Sequence, residues 1–142
     1  DASPEEKAQA KAEEDESLPV RLQVPLTEDE KSVEVFRLLG PTSNFYFERL
    51  GLPLGLKITR QVRGDFRMRG AFVVEEVMEG GSAAESGRIQ KGDVLHGLSV
   101  IRSSRQELTL TSRLSSVDEL VMAIGTNGEW GEITLVLERR GE

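Results

Sequence analysis

The sequence predicts a small α+β fold: five or six short β-strands in a barrel or sandwich, with one clear helix and one short helical turn. Three observations carry this prediction. Apolar residues alternate with polar ones over several short stretches, glycines and prolines separate these stretches, and one segment has both the cap and the apolar run of a helix. With 142 residues, 37% of them hydrophobic and 30% charged, the chain has the composition of one soluble globular domain with a polar appendage.

Composition weakens most enzyme classes. No apolar run approaches the ~18 residues that a membrane-spanning helix needs. The chain has no cysteine, which excludes disulfides, thiolate zinc sites and cysteine nucleophiles, and its single histidine makes a His-rich metal site hard to build. The formal net charge of −7 argues against nucleic acid as the main partner. We therefore expect a protein without enzymatic activity, metal or cofactor.

Charge divides the chain into three parts. Residues 1–16 hold seven acidic residues and two lysines, so −5 of the net charge of −7 lies there. Because alanines are their only apolar residues, we predict a disordered acidic arm over residues 1–17, with a transient helix around Glu5–Glu16 as the alternative. A start at Asp1-Ala2-Ser3-Pro4 is compatible with a trimmed targeting peptide. An N-terminal extension over 18–43 and the main domain over 44–140 follow.

Strands are predicted from alternation. Between Leu18 and Leu39 a weak period of two, interrupted by the acidic turn Glu28–Glu30, predicts one or two short strands. Four more clear stretches and one aromatic stretch are strand-like: Phe45–Phe47, Leu56–Val62, Ala71–Met78, Val94–Ile101 and Ile133–Arg139.

Helical signals occur twice. Ser116 with Glu119 forms a capping box before the apolar run Leu120–Ile124, which Gly125 ends. Ser82–Ser86 can form a short helical turn. The basic segment 99–115 is long for a connection, and an extra strand or hairpin within it is left open.

Several motifs between Asn44 and Arg140 resemble those of the PDZ domain family. The run FVVEEVMEGGSAAESGRIQKGDVL, Phe72–Leu95, is similar to the centre of such domains, where a strand, a Gly-Ser turn, a short helix and Gly-Asp-x-Leu follow one another. Pro53–Leu56 resembles the family's carboxylate-binding loop, usually Gly-Leu-Gly-Phe. The capping-box helix and the last strand stand where the family has its groove helix and final strand. The resemblance covers about two-thirds of the chain.

The resemblance implies capture of a partner's free C-terminus. A carboxylate needs converging backbone N–H donors, and we expect Leu54, Gly55 and Leu56 to supply them. Arg49 lies four residues before the loop, where PDZ domains often carry a basic residue. Proline in place of the family's first glycine has no N–H and a fixed φ, so the loop is either preset or impaired. A plain turn between two strands is the alternative.

The groove is expected between a strand edge and the helix. Residues Lys57, Ile58 and Thr59 would offer the edge to an incoming peptide strand. Val117, Val121 and Ile124 have the spacing i, i+4 and i+7 and share a helix face, which either lines the groove or packs in the core. PDZ domains read the ligand residue two before the C-terminus with the first helix position. A valine there implies ligands that end in hydrophobic-x-hydrophobic.

Other features favour structural roles or stay open. We expect His96 to be structural or at the surface, and Trp130 to cover the edge of the core. Lys57, Arg60, Arg63, Arg67 and Arg69 form a basic cluster beside the predicted groove, either a solvated face or a surface that steers acidic ligands or docks on an anionic surface. Peripheral association with a membrane therefore stays open.

The expected function is thus a non-catalytic interaction module. Two alternatives are a structural subunit or assembly factor that docks through residues 18–43 and 99–115, and a regulatory fragment of a PDZ-bearing protease. The motifs also resemble PDZ proteins of plant and algal plastids, some of which assist photosystem assembly. That resemblance implies a location in the plastid stroma or at the thylakoid.

Overall fold

The structure, a computed structural model, describes residues 18–63 and 68–141. The predicted acidic arm lies outside the described residues. Within them the chain forms eight strands, two α-helices and one 3₁₀ turn at Thr111–Arg113. We number them in chain order as β1 (Val20–Pro25), β2 (Glu30–Val35), β3 (Asn44–Gly51), β4 (Leu56–Arg60), β5 (Phe72–Val77), α1 (Ser82–Ser86), β6 (Val94–Arg102), β7 (Arg105–Leu110), α2 (Val117–Gly125) and β8 (Glu132–Arg139).

Six strands form one antiparallel sheet in the order β3-β8-β6-β5-β4, and β7 also pairs with β6. Strands β1 and β2 form a separate antiparallel hairpin. Among the described strands, β3 and β4 end the sheet without pairing to each other, so the sheet does not close into a barrel. The structure is therefore a small α+β fold, as predicted, and of the two expected forms, a barrel or a sandwich, the closed barrel is not present among the described strands.

The count of eight strands exceeds the five or six predicted. Strand β7 arises because the chain reverses between β6 and β7 at Ser103 and Ser104, whose φ angles of 51° and 63° lie in the left-handed region. Asparagine and glycine are the residues usually found in such a turn, so the two serines did not predict where the chain reverses. Strand β7 is the extra strand that was left open within 99–115. The second additional strand belongs to the N-terminal hairpin.

The main core lies between the sheet and α2. Leu50, Leu135 and Leu137 project from β3 and β8 into this core, where they meet buried Leu120 of α2. Helix α2 begins after Ser116, whose hydroxyl accepts a hydrogen bond from the Glu119 amide at 3.1 Å. The Glu119 carboxylate accepts from the amide and hydroxyl of Ser115 at 2.8 and 2.9 Å. The predicted capping box is thus present, displaced by one residue on the carboxylate side.

The opposite face of the sheet is covered by the N-terminal hairpin. Fully buried Val24 of β1 packs with Leu26 and with Val136 of β8. Strand β8 is therefore buried on both faces, although its alternating sequence predicted one polar face. The N-terminal extension packs as a second layer on this face of the sheet.

Glu138 of β8 fastens the segment after this hairpin. Its carboxylate is fully buried and accepts hydrogen bonds from the amides of Leu38 and Leu39 at 3.0 Å, the Ser43 hydroxyl at 2.5 Å and His96 Nε2 at 2.7 Å. Burial by itself would raise the pKa of Glu138. The hydrogen bonds outweigh burial and lower this pKa below its ordinary value of 4.5.

Asp93, the acidic residue of the Gly-Asp-x-Leu motif, organises the turn before β6. Its carboxylate accepts from Arg139 Nε and Nη2 at 3.1 and 2.8 Å and from the Tyr46 hydroxyl. It also accepts from the Gln90 amide at 2.9 Å. This motif therefore serves the fold in this chain by joining β3, β6 and β8.

Candidate functional site

The loop before β4 is held by its carbonyl groups. The carbonyl oxygens of Pro53 and Leu54 accept hydrogen bonds from the amides of Ser82 and Ala83, both at 3.1 Å, in the first turn of α1. The Gly55 carbonyl accepts from the Met78 amide at 2.8 Å. Three successive carbonyls are thus directed toward α1 and the end of β5.

The amides of the same loop point the opposite way. In a planar trans peptide the C=O and the following N–H are antiparallel, so each fixed carbonyl also fixes the next amide. The N–H groups of Leu54, Gly55 and Leu56 therefore point away from α1 and β5. Within the described part of the chain, no acceptor receives the amides of Leu54 or Gly55. These two donors, together with the Leu56 amide that points the same way, form a group suited to an anionic oxygen pair.

Two glycines bring this loop against α1. A Cβ atom on Gly81 would lie 2.4 Å from the Leu54 carbonyl oxygen and 2.6 Å from the Gly55 Cα. Gly55 has a φ of 70°, and a Cβ there would lie 2.8 Å from the Gly81 Cα. Both positions must lack a side chain, because backbone atoms occupy the space.

Strand β4 has one open edge. Among the described strands, β4 pairs with β5 alone, through a register that shifts between Lys57 and Ile58. The bonds from Met78 to Gly55 and from Gln61 to Ala71 flank the pairs Leu56–Val77 and Arg60–Phe72, which are therefore non-hydrogen-bonded pairs. The backbone groups of Leu56, Ile58 and Arg60 consequently face the open edge, whereas those of Thr59 face β5.

An apolar wall lies beside this edge. The side chains of Leu56 and Ile58 on β4, and of Val117 and Ile124 on α2, are partly buried against the main core. Val121, one turn after Val117, is 60% exposed. Val117 and Ile124 therefore contribute to the core, whereas Val121 is exposed to solvent on the same helix.

The remaining predicted residues lie elsewhere or point away. Arg49 is exposed on the face of β3 that the N-terminal hairpin covers, where it lines a cavity with Thr27, Gln106 and Trp130. The structure therefore separates Arg49 from the loop amides. Lys57 is exposed and pairs with Glu75 at 3.8 Å.

His96 takes the place expected of a structural residue. His96 is buried, bound to Glu138 and packed edge-on against Phe45 with ring centroids 5.2 Å apart. Trp130 is 40% exposed beside Arg49. Among residues 18–63 and 68–141, no group of three or more His, Asp or Glu side chains is arranged to hold a metal ion. No helix in these ranges has the length and apolar character needed to cross a membrane.

The sequence suggested Leu54, Gly55 and Leu56 as donors but gave little sign of the contacts that hold their loop. The support comes from α1, about thirty residues later in the chain, and the only signal for it was the glycine pair Gly80-Gly81 before Ser82. Sequence reasoning also placed Arg60 in a general basic cluster, without distinguishing it by position. A reading of β4 in steps of two would have shown that Arg60 shares the edge of Leu56 and Ile58.

In comparisons with known proteins, no protein-family model matches the chain, and no curated protein is similar to it in sequence.

Proposed function

We propose that this chain is a PDZ-like binding module that takes up the free C-terminus of a partner protein as an added strand along β4. The observation that carries the proposal is the set of outward-facing amides of Leu54, Gly55 and Leu56, whose preceding carbonyls are all bound by α1 and Met78. Three converging N–H donors match the two oxygens of a terminal carboxylate. Pro53 is compatible with this role, since its carbonyl is used and the three donors come after it.

The open edge of β4 supports strand addition. A ligand that runs antiparallel to β4 with its carboxylate at the loop amides would exchange backbone hydrogen bonds with Ile58 and then with Arg60. Such hydrogen bonds give affinity without reading the ligand sequence. Side-chain preference would come from the apolar wall of Leu56, Ile58, Val117 and Val121, which favours apolar residues at the C-terminus and two positions before it.

The test is a fluorescence-polarisation titration of the full chain with short peptides ending in hydrophobic-x-hydrophobic, each with a free and an amidated C-terminus. We expect a Kd on the order of micromolar for the free acids and a loss of at least about tenfold on amidation, because charge-assisted bonds to the amides disappear. Equal binding of the two forms, or no binding by either, would overturn the carboxylate-capture proposal.

A matched pair of variants locates the ligand. Val121→Asp introduces a charge on the exposed wall residue, and we expect it to weaken peptide binding at least about tenfold. Met122→Asp introduces the same charge on the adjacent residue, which is 74% exposed and faces Val100 and Thr109 on the other side of α2. Met122→Asp should bind peptide like the parent chain. Equal effects of the two variants would count against the groove.

A further inference from the structure

A cavity of about 360 Å³ lies beyond the N-terminal end of α2. Arg60 at the end of β4 and the neighbouring Arg69 line one part of it, and Leu110 and Leu114, which lead into α2, line another. Phe36 of the N-terminal extension, 52% exposed, also contributes to the lining. Through Arg60 and Leu114 the cavity thus adjoins the end of β4 and the start of α2, away from the loop at Leu54–Leu56.

Arg60 is held in place within this cavity. A Cβ on Gly70 would lie 3.2 Å from Arg60 Nη2, so the absent side chain of this glycine leaves the space that the guanidinium occupies. The Arg60 Nε is buried and donates no hydrogen bond within the described part of the chain. A buried donor without an acceptor is costly, and an anion beside the guanidinium would offset part of that cost through its charge.

The charge of the lining favours an anion. Among the described lining residues, Arg60 and Arg69 carry positive charge and Glu34 carries negative charge. Glu119 of α2 lies close enough to feel the Arg60 charge, but its carboxylate is engaged by the amide and hydroxyl of Ser115. Arginine pairs well with carboxylates because its planar fork matches both oxygens.

The register of an added strand brings one ligand position to this cavity. If the last ligand residue lies beside Leu56, the antiparallel residue beside Ile58 is two positions earlier and that beside Arg60 is about four positions earlier. The backbone groups of these three β4 residues all face the edge along which the ligand would run.

We propose that this cavity is a second specificity subsite, which selects an acidic side chain about four residues before the ligand's C-terminus. The inference rests on the proposed function, since the register is set by the carboxylate loop. The Arg60 and Arg69 guanidiniums bind the acidic group. The apolar side chains of Phe36, Leu110 and Leu114, which also line the cavity, exclude water from that group. The N-terminal extension thereby takes part in ligand selection.

The experiment uses the full chain and a set of peptides of about ten residues with one hydrophobic C-terminus. They differ only at the fourth residue before the end, which is Asp, Asn or Lys. We expect the Asp peptide to bind about three- to tenfold more tightly than the Asn peptide, and the Lys peptide to bind most weakly, with the difference shrinking at high salt. Each peptide is also measured in its amidated form.

The variants assign the preference to the cavity. The ratio of the Asp-peptide affinity to the Asn-peptide affinity should fall to about one in Arg60→Gln. In Arg69→Gln the ratio should also decrease. Both expectations hold whether or not overall affinity changes. Arg69 is exposed, so its variant tests the subsite even if Arg60→Gln fails to fold. Arg63→Gln, which removes an exposed cation outside the cavity lining, should keep the parent ratio.

The outcomes separate the two proposals. Equal binding of the Asp, Asn and Lys peptides, combined with sensitivity to amidation, would overturn the subsite and leave carboxylate capture in place. An Asp preference that persists in both cavity variants, or that Arg63→Gln removes equally, would also overturn it. Failure of every free-acid peptide to bind would overturn both.

Discussion

Two places in the described part of this molecule present a group of neighbouring backbone amides, and they differ in whether the chain itself supplies the acceptor. The amides of Leu38 and Leu39 already bind the side chain of Glu138, together with Ser43 and His96. The amides of Leu54, Gly55 and Leu56 point away from their own chain. The first arrangement is buried and fastens the N-terminal extension to the sheet. The second lies beside an open strand edge.

The difference teaches that amide geometry alone does not define a binding site. Both arrangements satisfy the same chemical need, because an N–H group requires an acceptor and a carboxylate is the strongest one available. Glu138 reaches its amides from a strand buried on both faces, so the interaction is internal and permanent. At the loop, the carbonyls alone are bound internally, and an acceptor for the amides must come from solvent or from a partner.

The largest predicted effect concerns the support of the open arrangement. Gly81→Ala would drive a methyl group into the Leu54 carbonyl, and since backbone rather than a flexible side chain stands there, we expect a loss of about 3 kcal/mol or more in the free energy of unfolding. Urea denaturation would measure it.

Gly125→Ala is the matched control for this variant. Gly125 ends α2, and nothing lies within 4 Å of a Cβ placed on it. Alanine there should be neutral or slightly stabilising, because glycine is a poor helix residue. A Gly81→Ala loss no larger than this control would show that the loop readily leaves α1, and the amides would then not be preset.

The second prediction concerns the buried carboxylate of Glu138, which binds the amides of Leu38 and Leu39. Glu138→Gln keeps the shape but removes the charge that four donors face, so we expect unfolding to cost about 2–3 kcal/mol less, measured by urea denaturation. Glu132→Gln, at the exposed start of the same strand, should change stability little. Peptide binding at the loop should be unchanged in Glu138→Gln. Weaker binding there would mean that the two arrangements are coupled.

The pH dependence of stability sharpens the same point. Because hydrogen bonds hold the pKa of Glu138 below 4.5 despite its burial, the unfolded chain takes up the proton first. The stabilisation by the ionised Glu138 carboxylate is fully present at pH values above its ordinary pKa of 4.5. It is lost as the pH falls through the lower pKa of the folded state. Parent and Glu138→Gln unfolding energies, measured from pH 7 to 3, should therefore converge toward low pH. A constant difference across this range would contradict the assigned ionisation.

The smallest predicted effect concerns selectivity at the open arrangement. Val117→His places a hydrogen-bonding ring at the first position of α2, and we expect about a fivefold change in the ratio of affinities toward ligands with Ser or Thr two positions before the C-terminus. Paired fluorescence titrations would measure this ratio. An unchanged ratio would place the ligand away from Val117.

Local signals in the sequence predicted much of the fold. The capping box at Ser116 predicted α2, the strand-like run 71–78 predicted β5, and alternation over 133–139 predicted β8. These predictions succeeded because caps, turns and alternation depend on neighbours within a few residues.

The tertiary structure alone decided which of these residues face outward and which are bound by partners inside the fold. Alternation in β8 predicted one polar face, but the N-terminal hairpin covers it, and Glu138 becomes a buried partner of Leu38 and Leu39. Arg49 has the expected spacing before the loop yet projects from the other face of the sheet. Arg60 gains its position from Gly70 and from the end of α2. Such placements depend on contacts between residues far apart in the chain, and spacing in the sequence does not encode the face on which two elements meet.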